Sequence, residues 1–220
     1  MIGQDRNGVD GLEVAFRIRS REVRGAPCGS GCYFAALPTQ GLKTVTVVVN
    51  GRDLRFALPG RAAPSAASLV WRATFVFRHL RTLVIDERLA SAPGNAVRTR
   101  YEIVAPNRLH YVLDTGTAGI VIGARRWDRD SSAAPWQPSA QEPLRLPEPF
   151  WRSWRDATLV GSTRRELVVS FLDPTIPAWF TLRLDRRTLR TLDLRMTAGA
   201  HFMHHVYSGF NEPLRIQPPR

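Results

Sequence analysis

Three groups of residues in this 220-residue chain have types and spacings that could do chemistry. His201-Phe202-Met203-His204-His205 is the first. On a strand, His201, Met203, His205 and Tyr207 share one face, and imidazole with thioether is a donor set suited to copper as Cu(I). Same-face neighbours sit about 7 Å apart along a strand, so His201 and His205 are about 13 Å apart and cannot share one ion directly. Either could pair with Met203 and a residue of an adjoining strand; ordinary surface histidines are the plainer alternative. The second group is Cys28 and Cys32, which bracket Gly29-Ser30-Gly31. The glycines let the chain turn sharply enough to bring the two Cα atoms within the roughly 4.4–6.8 Å of a disulfide. With no second cysteine pair to complete a four-ligand zinc site, a disulfide is the expectation and a reduced pair the alternative. The third is Asp114, in Val112-Leu113-Asp114-Thr115-Gly116-Thr117-Ala118. A lone carboxylate activates water poorly, whereas two sharing a proton split their pKa values and divide the roles of acid and base.

Asp114-Thr115-Gly116 resembles the signature of the aspartic peptidases, which need two such aspartates, so a single copy implies a homodimer. That family carries an apolar-apolar-Gly segment well downstream. Here Ile120-Val121-Ile122-Gly123 follows after only a few residues, too close to wrap around an active site. The competing reading is a hairpin in which Gly116 and Gly119 take positive φ, and it is favoured. No Gly-rich phosphate loop, nucleophile elbow or His-Glu-x-x-His segment is present.

The elements that must position these groups are mostly strands. From Ala157 to Ile216 the chain reads as five strands in a row. Phe180, Leu182 and Leu184 alternate with Thr181 and Arg183, and Leu192, Leu194 and Met196 alternate with Thr191, Asp193 and Arg195. Such period-two alternation places one face on a core and the other in water. Upstream, strands are expected at Leu12–Arg19, Tyr33–Leu37, Thr44–Val49 and Leu54–Leu58, with Asn50-Gly51 as a two-residue hairpin. Further strands fall near Leu83–Arg88, Val97–Val104, Leu109–Asp114 and Gly119–Trp127. One helix is expected from Ala66 to about Arg81, capped by Ser65 or Ser68, with Leu69, Ala73, Val76, Phe77, Leu80 and Val84 as its apolar stripe. The Pro- and Trp-rich stretch Asp128–Trp154 is too long for an ordinary loop, so it is expected to be functional or partly helical. Trp151 to Asp156 is the candidate for a short second helix.

The formal charge is +12, and Lys43 is the only lysine. Many arginines (Arg17, Arg19, Arg183, Arg195) alternate with apolar residues, as on a solvated sheet face. With no recognition-helix, zinc-finger or RRM signature beside them, nucleic acid is not the expected partner. No apolar run approaches the ~18 residues of a membrane-spanning helix. Met1-Ile2-Gly3-Gln4-Asp5 lacks the basic start and apolar stretch of a signal peptide. An extracytoplasmic location therefore presupposes an export signal or membrane segment upstream.

The order of the elements resembles the LolA-like group of bacterial extracytoplasmic proteins, including mycobacterial-type lipoproteins that carry lipids. The residues concerned span about 64–220: the helix, then Tyr101-Glu102-Ile103-Val104-Ala105-Pro106-Asn107-Arg108-Leu109. Ile120–Arg129, Trp136, the hairpin at Asp185–Thr188, Tyr207-Ser208-Gly209-Phe210-Asn211 and Ile216 with Pro218 follow. The resemblance implies a mainly β fold, a curved antiparallel half-barrel covered by one or two helices, which accepts acyl chains without catalysis. Residues 12–59 more weakly resemble the tail of the Ig-like domains of bacterial copper-resistance proteins. The domain expectation is thus a small, incomplete Ig-like sheet over 1–60 and a half-barrel over 61–220. The expected ligand wall is Tyr101, Ile103, Leu109, Tyr111, Ile120, Ile122, Leu182, Leu184, Leu192, Leu194 and Met196, closed by Phe77 and Leu80. The expected partners are a lipid or other hydrophobic ligand and a membrane protein encoded upstream or fused N-terminally. Copper, through His201, Met203 and His205, is the alternative.

Overall fold

The computed structural model describes residues 13–29, 32–35, 41–58, 60–92, 95–198 and 201–219. The side chains of Cys28 and Cys32, the expected disulfide, lie outside the described residues.

Four strands near the N-terminus form one antiparallel sheet in the order β2-β1-β5-β6. They are β1 (Val14–Ile18), β2 (Arg21–Arg24), β5 (Thr44–Val49) and β6 (Arg52–Ala57). Asn50 and Gly51 join the last two with φ of 47° and 77°, the doubly positive turn that an Asn-Gly pair favours. A small hairpin, β3 (Ala26–Gly29) with β4 (Cys32–Phe34), stands apart in pairing. Nothing in the arrangement supports the Ig-like comparison: the described strands make a single sheet and one hairpin, not two sheets packed face to face.

The helix α1 (Ala67–Arg78) follows, shorter than the sequence suggests because the chain must extend again at Thr82. Neither serine caps it by a close bond. Instead the backbone just before it joins the sheet edge, Ala66 donating its N–H to the carbonyl of Ala157 at 2.9 Å. α1 buries Val70, Ala73, Thr74 and Phe77, while the expected stripe residue Val84 belongs to a strand.

The remaining strands build one eleven-stranded antiparallel sheet, in the order β12-β11-β10-β9-β8-β7-β17-β16-β15-β14-β13. Its first run is β7 (Thr82–Ala92), β8 (Asn95–Val104), β9 (Arg108–Leu113), β10 (Ala118–Ile122), β11 (Arg125–Arg129) and β12 (Gln137–Ala140). The second is β13 (Arg155–Ser162), β14 (Glu166–Asp173), β15 (Ala178–Asp185), β16 (Thr191–Ala198) and β17 (His201–Ser208). The end strands β12 and β13 do not pair, so the sheet is curved but unclosed. Bulges in β13, between Arg183 and Leu184, and near Ala92 add the local twist that lets so wide a sheet bend. Two expectations are corrected here. Gly119–Trp127 is two strands, because Gly123 (φ 60°) turns the chain between them. At the β15–β16 bulge Thr191 pairs with Leu184, so Leu192 is the extra residue and stays only half buried while Thr191 turns inward.

One face of this sheet is solvated. Arg100 pairs with Asp86, His110 with Glu102, His204 with Asp193 and Arg183 with Glu166, at 2.6–3.2 Å. Surface pairs of this kind each contribute only about 0–1 kcal/mol, so they mark the outside rather than hold the fold. The inner face carries the core, in which Phe171, Phe180, Leu182, Leu184 and Leu194 are fully buried beneath α1.

Residues 141–154 cross that inner face as an extended strap. The expected second helix at Trp151–Asp156 does not form, because Asp173 holds this stretch open. Its carboxylate accepts hydrogen bonds from the backbone N–H groups of Arg152 and Ser153 and from the Ser153 and Thr175 hydroxyls, at 2.6–3.0 Å. The strap delivers Trp151 between Phe77 and Phe171, where its indole N–H donates to the Thr74 hydroxyl at 2.8 Å. That hydroxyl donates in turn to the Val70 carbonyl, so no buried donor in the relay is left without a partner. Burying an aromatic this size contributes on the order of 2–3 kcal/mol.

Burial by itself would raise the pKa of Asp173, but its donors overcome this and hold the group well below the usual carboxylate range. As pH falls, the unfolded chain takes up this proton first. The stabilisation is therefore complete above about pH 4 and declines below it. Asp173→Asn is expected to cost about 2 kcal/mol at neutral pH. In urea titrations, the gap between variant and parent should narrow as pH falls from 7 towards 3.

Candidate functional site

Direct cross-strand partners share a face, so the inner surface can be followed in rows. One row runs Leu159, Val169, Leu182, Leu194, His205, Glu87, Thr99 and Leu113. A second runs Phe171, Phe180, Met196, Met203, Leu89 and Val97, and a third Tyr207, Ile85, Tyr101, Tyr111, Gly119 and Asp128. Burial is greatest on the β14–β17 part of these rows and lower on much of the β7–β9 part, although Thr99 and Gly119 stay buried. Val169, Leu182, Leu194, Phe171 and Phe180 are fully enclosed, whereas Ile85, Leu89, Tyr101, Tyr111 and Leu113 are half-buried and Val97 is 37% exposed. α1 and the strap cover the β13–β17 side of the inner face; on the β7–β10 side Thr99, Ile103 and Val121 are buried, while Ile85, Leu89, Val97, Leu109 and Leu113 are left partly bare and make a half-open apolar floor. Phe150, 47% exposed, stands on the strap beside it in ring contact with Phe180 and His205.

Polar groups cross this floor in a strip. Glu87 accepts from the His205 ring at 2.7 Å and from the Tyr101 hydroxyl at 3.1 Å, and the other ring nitrogen of His205 meets the Tyr207 hydroxyl at 3.0 Å. Tyr101 and Tyr111 lie with their rings 6.1 Å apart. The Tyr111 hydroxyl donates to Asp128 and accepts from Arg126, and Arg126 also reaches Gln141. Burial and the charge of Glu87 push the Tyr101 phenol up to about 12, and burial raises Tyr111 as well. Both are neutral donors at ordinary pH. Hydrogen bonds from Arg126 hold Asp128 below the usual range against partial burial.

Apart from Leu192, displaced at the bulge, the structure separates the expected wall into three sets. Phe77, Leu80, Ile103, Leu182, Leu184, Leu194 and Met196 belong to the single buried core, packed by the protein's own side chains. Tyr101, Leu109 and Tyr111 lie on the open floor. Ile120 and Ile122 sit on the opposite face, because Gly119 and Val121, not they, register with Tyr111 and Leu109. Alternation shows that a strand has two faces, but only the register shows which face looks inward. Leu89, Val97, Leu113, Phe150 and Glu87 are floor or rim residues that sequence reasoning omitted. The length of β7 hid Leu89. Leu113 and Val97 could have been found by pairing the β8 and β9 patterns.

Asp114-Thr115-Gly116 is the β9–β10 turn, with Gly116 at φ 91°. Asp114 is exposed, and its carboxylate accepts from the Arg98 backbone N–H at 3.3 Å. Gly119, by contrast, is a strand residue without positive φ. Its lack of a side chain seats Tyr111, since a Cβ there would fall 2.4 Å from the ring. Of the candidate copper ligands, Met203 and His205 are buried and His201 is exposed. Both ring nitrogens of His205 are engaged, by Glu87 and by Tyr207. Among the described residues no group of three His, Cys, Asp or Glu side chains is placed to hold a metal ion.

Comparison with solved structures places the mycobacterial lipoprotein LppX of Mycobacterium tuberculosis on this chain with a TM-score of 0.53 and 10% identity. The match covers 69% of this chain and 97% of LppX. LprF of Mycobacterium bovis gives a TM-score of 0.48 at 10% identity, over 72% of this chain and 99% of its own. No protein-family model and no curated relative matches the chain. The likeness is one of fold: the chain shares the fold of LppX.

Gly119→Ala is expected to lift the Tyr111 ring off the sheet and break its bonds to Arg126 and Asp128, costing about 1–3 kcal/mol. Urea unfolding measures the cost, and an unchanged midpoint would show that Gly119 does not seat the ring.

Proposed function

We propose that this chain is a non-enzymatic extracytoplasmic carrier that lays an acyl chain, or another hydrophobic ligand, on the uncovered part of its inner sheet face. The observation behind the reading is the open floor itself. Ile85, Leu89, Val97, Leu109 and Leu113 face inward, yet helix and strap leave them partly bare. Apolar side chains aimed at the concave side of a sheet and left uncovered gain free energy from any greasy guest, about 25 cal/mol for each Å² removed from water. The strip of Glu87, His205, Tyr101 and Tyr111 is already satisfied internally, which leaves contact with the guest mainly to carbon. The likeness in fold to the lipoprotein LppX agrees with work outside the cytoplasm.

The test is uptake of a fluorescent fatty-acid probe, with native mass spectrometry of the gently purified chain to reveal co-purifying lipid. Leu113→Arg and Val97→Arg place a charge on the floor without disturbing the enclosed core. Each is expected to weaken probe binding roughly tenfold or more while leaving thermal unfolding close to the parent's. A parent chain that takes up no probe and carries no lipid would end the carrier reading.

A further inference from the structure

The helix that covers the enclosed side of the sheet has a second face. Opposite the buried Val70, Ala73, Thr74 and Phe77, α1 presents Trp71 and Phe75, which are 59% and 54% exposed. They are the most exposed aromatic side chains among the described residues, and they are not scattered. Trp71 stacks on Phe75 with ring centroids 6.2 Å apart, and Phe75 stacks on His79 at 4.0 Å. The His79 ring is itself fixed by the Phe75 carbonyl at 2.7 Å. The result is a ladder at i, i+4 and i+8 along the solvent side of one helix, held in place before anything docks on it.

Within α1 itself the charge is one-sided. α1 contains Arg72 and Arg78 and no acidic residue, and the two arginines flank the ladder. Arg78 pairs with Glu148 of the strap, two residues before the exposed Phe150. The whole chain carries +12. An exposed aromatic patch calls for a partner, and a partner for this one has to accept aromatic rings between positive charges. Tryptophan and phenylalanine on one side of a helix, with arginine beside them, is the pattern of helices that lie in a membrane interface. The arginines are then drawn to anionic headgroups. Because the rings are already stacked, little side-chain entropy is lost on insertion.

We propose that the solvent face of α1 docks this protein on an anionic phospholipid surface, with Trp71 and Phe75 entering the headgroup–acyl boundary and Arg72 contacting phosphate. This orients the lip formed by helix and strap towards the bilayer. The docking stands on the ladder and its charges and does not require the floor to be loaded.

The experiment is co-sedimentation of the full chain with vesicles of phosphatidylcholine alone, or with about one third phosphatidylglycerol. Binding is expected with the anionic vesicles, and about 0.5 M salt should weaken it. Trp71→Ala/Phe75→Ala should reduce partitioning roughly tenfold or more, and Arg72→Glu should reduce it with the anionic vesicles. Fatty-acid probe uptake by these variants should stay at the parent's level, which separates failure of docking from failure of the carrier reading. Trp71→Phe, which keeps the ladder and the fold, provides a second readout. Brominated lipids should quench the parent's tryptophan emission more than the variant's. Unchanged sedimentation of the double variant overturns the proposal. So does a parent chain that ignores anionic vesicles, or one that instead pairs with a second copy through this face.

Discussion

One short helix faces a very wide sheet, and most of the architecture follows from that mismatch. The twelve residues of α1 make a rod about 18 Å long. Eleven strands at about 4.8 Å spacing reach some 48 Å across. A helix of this size can dry only the strands it lies against. Where it does so, over β13–β17, the side chains of Phe171, Phe180, Leu182 and Leu194 are wholly enclosed. The strap extends the cover by inserting Trp151, and the Thr74 hydroxyl satisfies the indole N–H that this insertion buries. Beyond β17 the strap meets the turns beside β8–β11, Leu146 donating its N–H to the Pro106 carbonyl and Gln141 to that of Ala124, while Ile85, Leu89, Tyr101 and Val97 stay partly bare.

At the boundary between the dry core and the partly open floor, the central row changes from apolar to polar side chains. His205 and Glu87 sit where the rows pass from β17 to β7, each largely buried, and they bind each other at 2.7 Å. A polar contact removed from water often contributes little net stability, so this one is better understood by what it prevents. With His205 bonded to Glu87 and Tyr207, and Glu87 bonded also to Tyr101, the polar groups at the seam need no water and no ligand. The enclosed side can then be packed to the density of a solid core while the other side stays unfilled.

How much of this the amino-acid order reveals depends on the kind of information involved. Thr44–Val49 and the Asn50-Gly51 turn are local, and alternation with a two-residue turn specifies them. The reading of Asp114-Thr115-Gly116 as a hairpin rests on the same local chemistry. Facing is not local. Ile120 and Val121 are both apolar, and the pairing of Val121 with Leu109 decides which of them looks inward. Bulges erase the period as well: Leu192 continues a perfect alternation on paper and loses its place to Thr191. The strap is extended rather than helical because of Asp173, twenty residues downstream of Ser153, and no local propensity carries that. Trp71 and Phe75 fall outside the apolar stripe read from helical spacing, so their stacking on the solvent side emerges only from the fold.

Tyrosines rather than leucines at the centre of a greasy floor need a physical account, and their hydrogen bonds supply one. The Tyr101 hydroxyl is drawn towards β7 by Glu87, and the Tyr111 hydroxyl towards β11 by Asp128 and Arg126. The two polar tips therefore point away from each other along the sheet, and the rings between them are tilted at 44° with centroids 6.1 Å apart. What the pair leaves to the open side is aromatic carbon. Gly119 contributes by leaving the space into which the Tyr111 ring settles. Rigid rings have few rotamers to lose when held in one place, whereas leucines at the same positions would have more. A floor built this way can stay open without collapsing onto itself, which a half-covered sheet of aliphatic side chains would tend to do.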